Sequence, residues 1–316
     1  MQPTKTSPWA VPTSTWSSEW DKKASLKWLG LTGPQNMAMS DDMNYFSPHL
    51  VRLNAHPLVF GKGEPVIKAL QRRHLYRYLA ATEAIEIEMV NPALQFVMSS
   101  NIAPEFVLDA YKVYTDEGFH ALMCMDLRNN ISNGEMPYLL RYRSSALDRT
   151  LALVKTGTEP DAQLILLAIA CVNETMIASS LSQATDYTVF AALRELVMAH
   201  ARDEAAHNIY FTELMVDFFP RLSAREQRLL IDLMPDIFNS LHLSDKTGAE
   251  NDLRAQGFSE SEIQIILGET FNGEVDHEGV RRVCRSSLRM LSRCGLLDIP
   301  QAQEAFAEKG LAYLFQ

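Results

Sequence analysis

The 316-residue sequence carries only four cysteines. Cys124, Cys171, Cys284 and Cys294 stand far apart and form no C-x-x-C pair. That spacing excludes a disulfide framework and a zinc knuckle, and it suits a reducing cytoplasm. Positive charge is also short, with 29 Lys and Arg against 39 Asp and Glu, a formal net charge of -10. A broad surface for nucleic acid or for an anionic membrane needs a basic footprint, so neither partner is expected and a small molecule is. The longest apolar runs, such as Leu164 to Val172, are too short to cross a bilayer. The N-terminus shows no charged segment followed by an apolar core, so no signal peptide is expected. A Gly-rich flavin or nicotinamide fingerprint is missing as well, which leaves any redox chemistry dependent on an outside electron donor.

What is present is apolar content and helical periodicity. At 47% hydrophobic residues the chain can bury a large core. Residues 1–65 read as an irregular extension rich in Ser, Thr and Pro. Its Trp9, Trp16, Trp20 and Trp28 bring too much apolar area for a free tail, so packing on the helical body or on a second subunit is expected. A homodimer is one arrangement open to the sequence. Residues 66–316 read as one helical domain, with a bundle over about 72–219 and further helices over 223–316. In the first helix Leu75, Leu79, Glu83, Ile87, Val90, Leu94 and Val97 recur at steps of three and four. Pro104 opens a second helix to about Asn129. Met136 to Val154 reads as a connecting helix, ended by Gly157 and Pro160. A third long helix covers Asp161 to Ala184, and a fourth runs from Val189 to Phe218, before Pro220. Ala224 to Leu241 and Glu278 to Cys294 follow as helices, with no clear strand. The fold class is all-α, a ferritin-like four-helix bundle with additional helices.

The second and fourth helices carry the same word, Asp116-Glu117-x-x-His120 and Asp203-Glu204-x-x-His207. Helical positions i and i+3 share a face, so each word aims one carboxylate and one imidazole together, a set suited to a divalent first-row metal. Eight histidines and 39 acids in 316 positions place about one acid three residues before a histidine by chance. Three occur, and Glu274-x-x-His277 follows a turn-forming Asn272-Gly273, which marks it as the accidental one. Each aspartate has work available, because a metal-bound imidazole usually donates its other N–H to an acceptor. Asp116 is placed to orient His207, and Asp203 to orient His120. A carboxylate-bridged two-metal bundle also needs a lone glutamate from each remaining helix. On the third helix Glu174 is the only acid between Asp161 and Asp186. On the first, Glu83, Glu86 and Glu88 lie near the right level; Glu88 points away from the apolar stripe, Glu83 lies on it, and Glu86 is the alternative. His200 shares a face with Glu204 and His207, and by spacing alone is as readily a core histidine as a ligand.

The set Glu83, Glu117-x-x-His120, Glu174 and His200-x-x-x-Glu204-x-x-His207 resembles that of the p-aminobenzoate N-oxygenase (AurF-like) family of ferritin-like di-iron oxygenases. The resemblance covers about Arg72 to Phe219. It implies two iron ions held by Glu83, Glu117, His120, Glu174, His200, Glu204 and His207, with Glu117 and Glu204 bridging and His200 as a third histidine ligand. Glu117, Glu204 and His200 are then the catalytic group. It also implies O2 as co-substrate, a diferric peroxo species, and oxidation of a primary amine to hydroxylamine and onward to nitroso or nitro products, with a place in natural-product biosynthesis. Phe119, Met123, Tyr111, Tyr114, Met176 and Tyr210 are the residues expected around the substrate. The alternatives are a di-iron oxygenase acting on carbon and an iron-binding bundle without activity.

Overall fold

The computed structural model describes residues 20–26, 43–100, 103–132, 142–181, 187–242, 245–271 and 277–316. Among them there is no strand, only an isolated parallel bridge between Asn44 and Val189. Helix α1 spans Glu64–Ile85, with Pro65 in its first turn, where a missing N–H costs nothing. It passes through a wide π turn, Glu86–Val90, into α2, Asn91–Ser99. The π turn has a local cause. Pro92 offers no N–H to the Glu88 carbonyl and its ring crowds that oxygen, and the Asn91 N–H reaches back five residues to Glu86.

A short 3₁₀ turn at Pro104–Phe106 leads into α3, Val107–Ser132. Helix α4, Ser145–Val154, is capped by the Ser144 side chain accepting from the Ala146 N–H. The expected stretch from Met136 is only partly comparable, since residues 133–141 lie outside the described residues. Helix α5 covers Glu159–Leu181 and α6 covers Ala191–Phe218. Between α4 and α5, Gly157 is required by crowding, since a Cβ there would lie 2.8 Å from Cβ of Asp161. The longer helices that follow are α7 (Ala224–His242), α8 (Lys246–Ala255), α9 (Glu260–Phe271), α10 (His277–Arg293) and α11 (Pro300–Glu308).

The bundle is formed by α1–α2, α3, α5 and α6, with α3 packed on α1, α2 and α6, and α5 packed on α2 and α6. Helix α10 lies against α5 and α6, and α7 against α4, α5 and α11. This is the all-α, ferritin-like architecture. Its interior holds two apolar groups. One joins Val90, Leu94, Val113, Ile169, Phe211 and the C-terminal helices; the other joins Leu75, Leu79, Phe119, Met123, Leu193 and Leu196 with Phe46 and Val51. The buried Glu117 and His120 of α3 and His200, Glu204 and His207 of α6 lie together inside the bundle.

Among the described residues Glu159–Ile177 is the one segment long and apolar enough to cross a membrane by composition, but 72% of it is buried inside the protein, so its apolar surface is spent on the bundle core. One expectation needs correction, because the stripe drawn along the first helix fails in its middle. Ile87 is 52% exposed, whereas Thr82 and Glu86 are buried, because the π turn shifts the register of the residues around it. Trp9, Trp16 and Trp28 lie outside the described residues. Trp20 is within them and packs inward, as described below. Cys124, Cys171, Cys284 and Cys294 are free thiols and all buried.

Candidate metal centre

Seven polar side chains converge at the level where the two apolar groups meet. Glu86 comes from the π turn, Glu117 and His120 from α3, Glu174 from α5, and His200, Glu204 and His207 from α6; none is more than 1% exposed. Ligand atoms of Glu86, Glu117, His120 and His200 lie within 4.8 Å of one another, and so do those of Glu117, His120, Glu204 and His207. The two groups share Glu117 and His120, so they describe adjacent positions.

Glu117 is placed between two imidazoles. Its Oε2 lies 2.8 Å from Nδ1 of His120 and its Oε1 lies 2.8 Å from Nδ1 of His207. Oε1 of Glu204 is 3.0 Å from Nε2 of His200, 3.5 Å from Nδ1 of His120 and 3.4 Å from Nδ1 of His207. The far nitrogens of the two DExxH histidines are occupied across the helix pair. Nε2 of His120 donates to Oδ2 of Asp203 at 3.0 Å, and Nε2 of His207 to Oδ2 of Asp116 at 3.2 Å. Each aspartate therefore holds the histidine of the other helix. Glu174 is oriented by Asn173, whose Nδ2 donates to Oε1 at 2.9 Å.

The electrostatics describe a pocket short of positive charge. Burial, and then the charges of Glu117 and Glu174, push the Glu86 carboxyl far up. Burial followed by Glu204 and Glu117 does the same to Glu174. Burial opposes a proton on His120, but Glu117 and Asp203 outweigh it and raise the ring to about 10. Burial and the neighbouring His120 push His200 down. Four carboxylates sealed from water at this density are costly unless cations join them. No hydrogen-bond donor reaches either oxygen of Glu86 or Oε2 of Glu174, and Nδ1 of His200 has no hydrogen-bond partner. Buried polar atoms left open in this way are what ligands to an ion look like with the ion removed. The donor set of carboxylate oxygens and imidazole nitrogens suits a first-row transition metal.

Six of the seven residues expected as ligands are gathered here, namely Glu117, His120, Glu174, His200, Glu204 and His207. Glu83 is not among them. Its carboxylate is 30% exposed and lies 2.7 Å from the Arg128 guanidinium, and Glu86, the alternative, occupies the interior position. The reason is the π turn, which a constant helical period cannot represent.

Beside the Glu86 and Glu174 side of the cluster lies a cavity of about 390 Å³, lined by Phe46, Tyr78, Thr82, Ile85, Asn173 and Met176 among others. None of the cluster residues lines this cavity, but Asn173 in its wall holds Glu174, and Tyr78 in its wall feels the charges of Glu86 and Glu204, so these side chains stand between the cavity and the cluster. Of the residues expected around a substrate, only Met176 lines it. Phe119 and Met123 are packed in one apolar group and Tyr210 in the other, while Tyr111 is 56% exposed. A larger cavity of about 720 Å³ between Arg73, Arg77, Tyr142 and Asn251 shares no wall residue with the smaller one. Arg73 and Arg77 are bound there to Asp252.

An all-helical bundle whose interior is crossed by a carboxylate and histidine layer built from two DExxH words defines the class of carboxylate-bridged two-metal proteins. Comparison with known proteins narrows this. Residues 27–291 match the family described as P-aminobenzoate N-oxygenase AurF, and the chain belongs to that family. It is also 25% identical over 226 residues to the 4-aminobenzoate N-oxygenase of Streptomyces thioluteus, a match covering 67% of this chain. The match spans 66% of that relative, just under two thirds of its length.

Proposed function

We propose that the protein is a di-iron N-oxygenase that uses O2 to convert a primary amine to its hydroxylamine, with further oxidation to nitroso and nitro products open to the same site. The observation that carries this reading is Glu117, whose two oxygens face His120 and His207 separately at 2.8 Å each. A carboxylate so placed would serve a cation held beside each imidazole. Glu86, His120 and His200 would hold one iron, His207 and Glu174 the other, and Glu117 and Glu204 would span both. Two irons bound there supply the activation of O2.

The chain's own residues do the rest. Asp116 and Asp203 hold His207 and His120 so that Nδ1 of each faces inward. The apolar groups on either side keep bulk water from the centre, which strengthens every charge interaction within it. The 390 Å³ cavity is larger than the roughly 150 Å³ that admits a benzene ring. Phe46 and Tyr78 give it aromatic faces, so a single-ring amine fits; the name of the bacterial relative supports the same substrate class. In the overall reaction one oxygen atom goes to nitrogen and the other leaves as water, consuming two electrons and two protons. Those electrons come from an external donor, consistent with a reducing cytoplasmic setting.

Anaerobic titration with ferrous ion, followed by O2 uptake with and without p-aminobenzoate, tests the proposal. Two irons per chain and amine-dependent uptake are expected. Absence of tight iron binding, or uptake indifferent to any primary amine, overturns it.

A further inference from the structure

Residues 20–26, the described part of the stretch that holds the four tryptophans, touch the metal centre's supports at two points. Nε1 of Trp20 donates to Oδ2 of Asp116 at 2.8 Å, the same oxygen that accepts from His207. The backbone N–H of Ser25 donates to both oxygens of Asp203, at 3.1 and 3.2 Å, and Asp203 holds His120. Trp20 to Lys23 form one helical turn, closed by the Ala24 N–H on the Trp20 carbonyl. That turn sets the two donors a fixed distance apart. Ala24 and Ser25 are buried, and Leu26 packs against the apolar group that contains Leu79 and Phe119.

We infer that Trp20 and the Ser25 backbone are positioning groups for the metal centre: the N-terminal segment is a strap that fixes both DExxH aspartates, and through them His207 and His120. An aspartate that accepts only from an imidazole can swing about its Cα–Cβ bond and carry the ring with it. A second donor on the carboxylate removes that freedom. The two contacts fall on two different helices, so one seven-residue segment fixes both histidines at once, across 96 and 178 residues of sequence. The inference rests on the reading of the cluster as a metal site.

Cobalt(II) titration of the full chain, followed by its visible absorption, is the test. Loss of a group that orients a metal ligand directly costs 10–100-fold in affinity, so a group one bond further out should cost about 3- to 10-fold. Trp20→Phe keeps an aromatic ring and removes the N–H; it should weaken the metal held by His207 by that factor and alter its absorption. Ser25→Pro removes the other donor and should weaken the metal held by His120. Ser25→Ala should do nothing, because it keeps the backbone N–H and the Ser25 hydroxyl has no partner to lose.

A double-mutant cycle separates positioning from packing. In an Asp116→Asn background, Trp20→Phe should weaken cobalt by less than about twofold more, because its route to His207 is already broken. Unchanged affinity and spectrum in Trp20→Phe, or losses that add fully with Asp116→Asn, would overturn the strap. Should the unaltered protein bind no cobalt, the metal-site reading itself fails. Two bound ions in the unaltered protein with equal binding in the variants would defeat the strap alone.

Discussion

The Glu83 carboxylate rests 2.7 Å from the Arg128 guanidinium, and one helical turn further on Glu86 lies fully buried, its Oε1 3.7 Å from Nε2 of His200. Two glutamates three residues apart therefore have opposite duties: one closes the rim with an ion pair, the other faces the cluster. Glu86→Gln should lower iron content from two toward one per chain. Glu83→Gln should leave it at two but cost stability, because the Arg128 guanidinium that Glu83 pairs with is buried and would lose its counter-charge. Iron content after anaerobic loading and desalting decides this, and the reverse ranking would contradict the placement of Glu86.

Glu204→Ala and His200→Ala should differ in kind. Oε1 of Glu204 lies within 3.5 Å of three imidazole nitrogens, so its removal takes a bridge from both positions. Both metals should be lost or bound far more weakly. His200 serves one position, beside Glu86 and His120. Its alanine variant should keep the metal next to His207 and weaken only the other, which a biphasic cobalt titration would reveal. Equal loss of both metals in His200→Ala would count against the assignment.

Much of this centre was legible in the sequence because α3 and α6 are unbroken helices over the relevant residues. Spacing i, i+3 therefore translates directly into a shared face, and the crossed aspartate pairings follow from it. Glu174 was legible by elimination, as the lone acid of an apolar helix. Glu86 was not settled, since a stripe of constant period assumes a regular helix and Pro92 turns Glu86–Val90 into a π turn. Asn91-Pro92 after a run of acids is the one local feature that could have warned of it. The tryptophan content announced that the extension packs somewhere, but not that Trp20 and Ser25 reach Asp116 and Asp203, because those contacts depend on how the extension docks. The cavity wall was equally hidden, as it draws on five separate regions, represented by Phe46, Thr82, Asn173, Leu241 and Val283.

Stability should fall in mild acid through His74. Burial, reinforced by the Arg77 guanidinium, pushes its ring from 6.5 down to about 3. The folded state therefore binds its proton less readily than the unfolded state. Its contribution is fully present above the unfolded value and is lost as pH falls below 6.5 toward about 3. Between about pH 7.5 and pH 5 the loss from this group is about 1–2 kcal/mol. Urea unfolding of the native protein and of His74→Phe at both pH values isolates it. The variant should lose less stability on acidification, and parallel losses would contradict the account.

Asp252 joins α8 to α1. Its two oxygens accept from Nε of Arg73 at 2.8 Å and Nε of Arg77 at 2.9 Å, and all three side chains are buried. Removing one member of such a group leaves buried charge poorly compensated, which costs about 3–5 kcal/mol. Asp252→Ala should lower the melting temperature by several degrees while iron binding at the remote centre is retained in the folded fraction. Calorimetry with an iron assay on the same sample checks both halves.

The buried carboxylate and histidine layer is proposed to deliver oxygen from O2 to an amine nitrogen. Ferrous-loaded protein should be mixed anaerobically with p-aminobenzoate, exposed to isotopically labelled O2 for a single turnover, and the products identified by mass. The account predicts the hydroxylamine carrying one labelled oxygen atom, and no such product from Glu204→Ala. Recovery of unchanged amine from protein that has bound two irons and consumed O2 would contradict it.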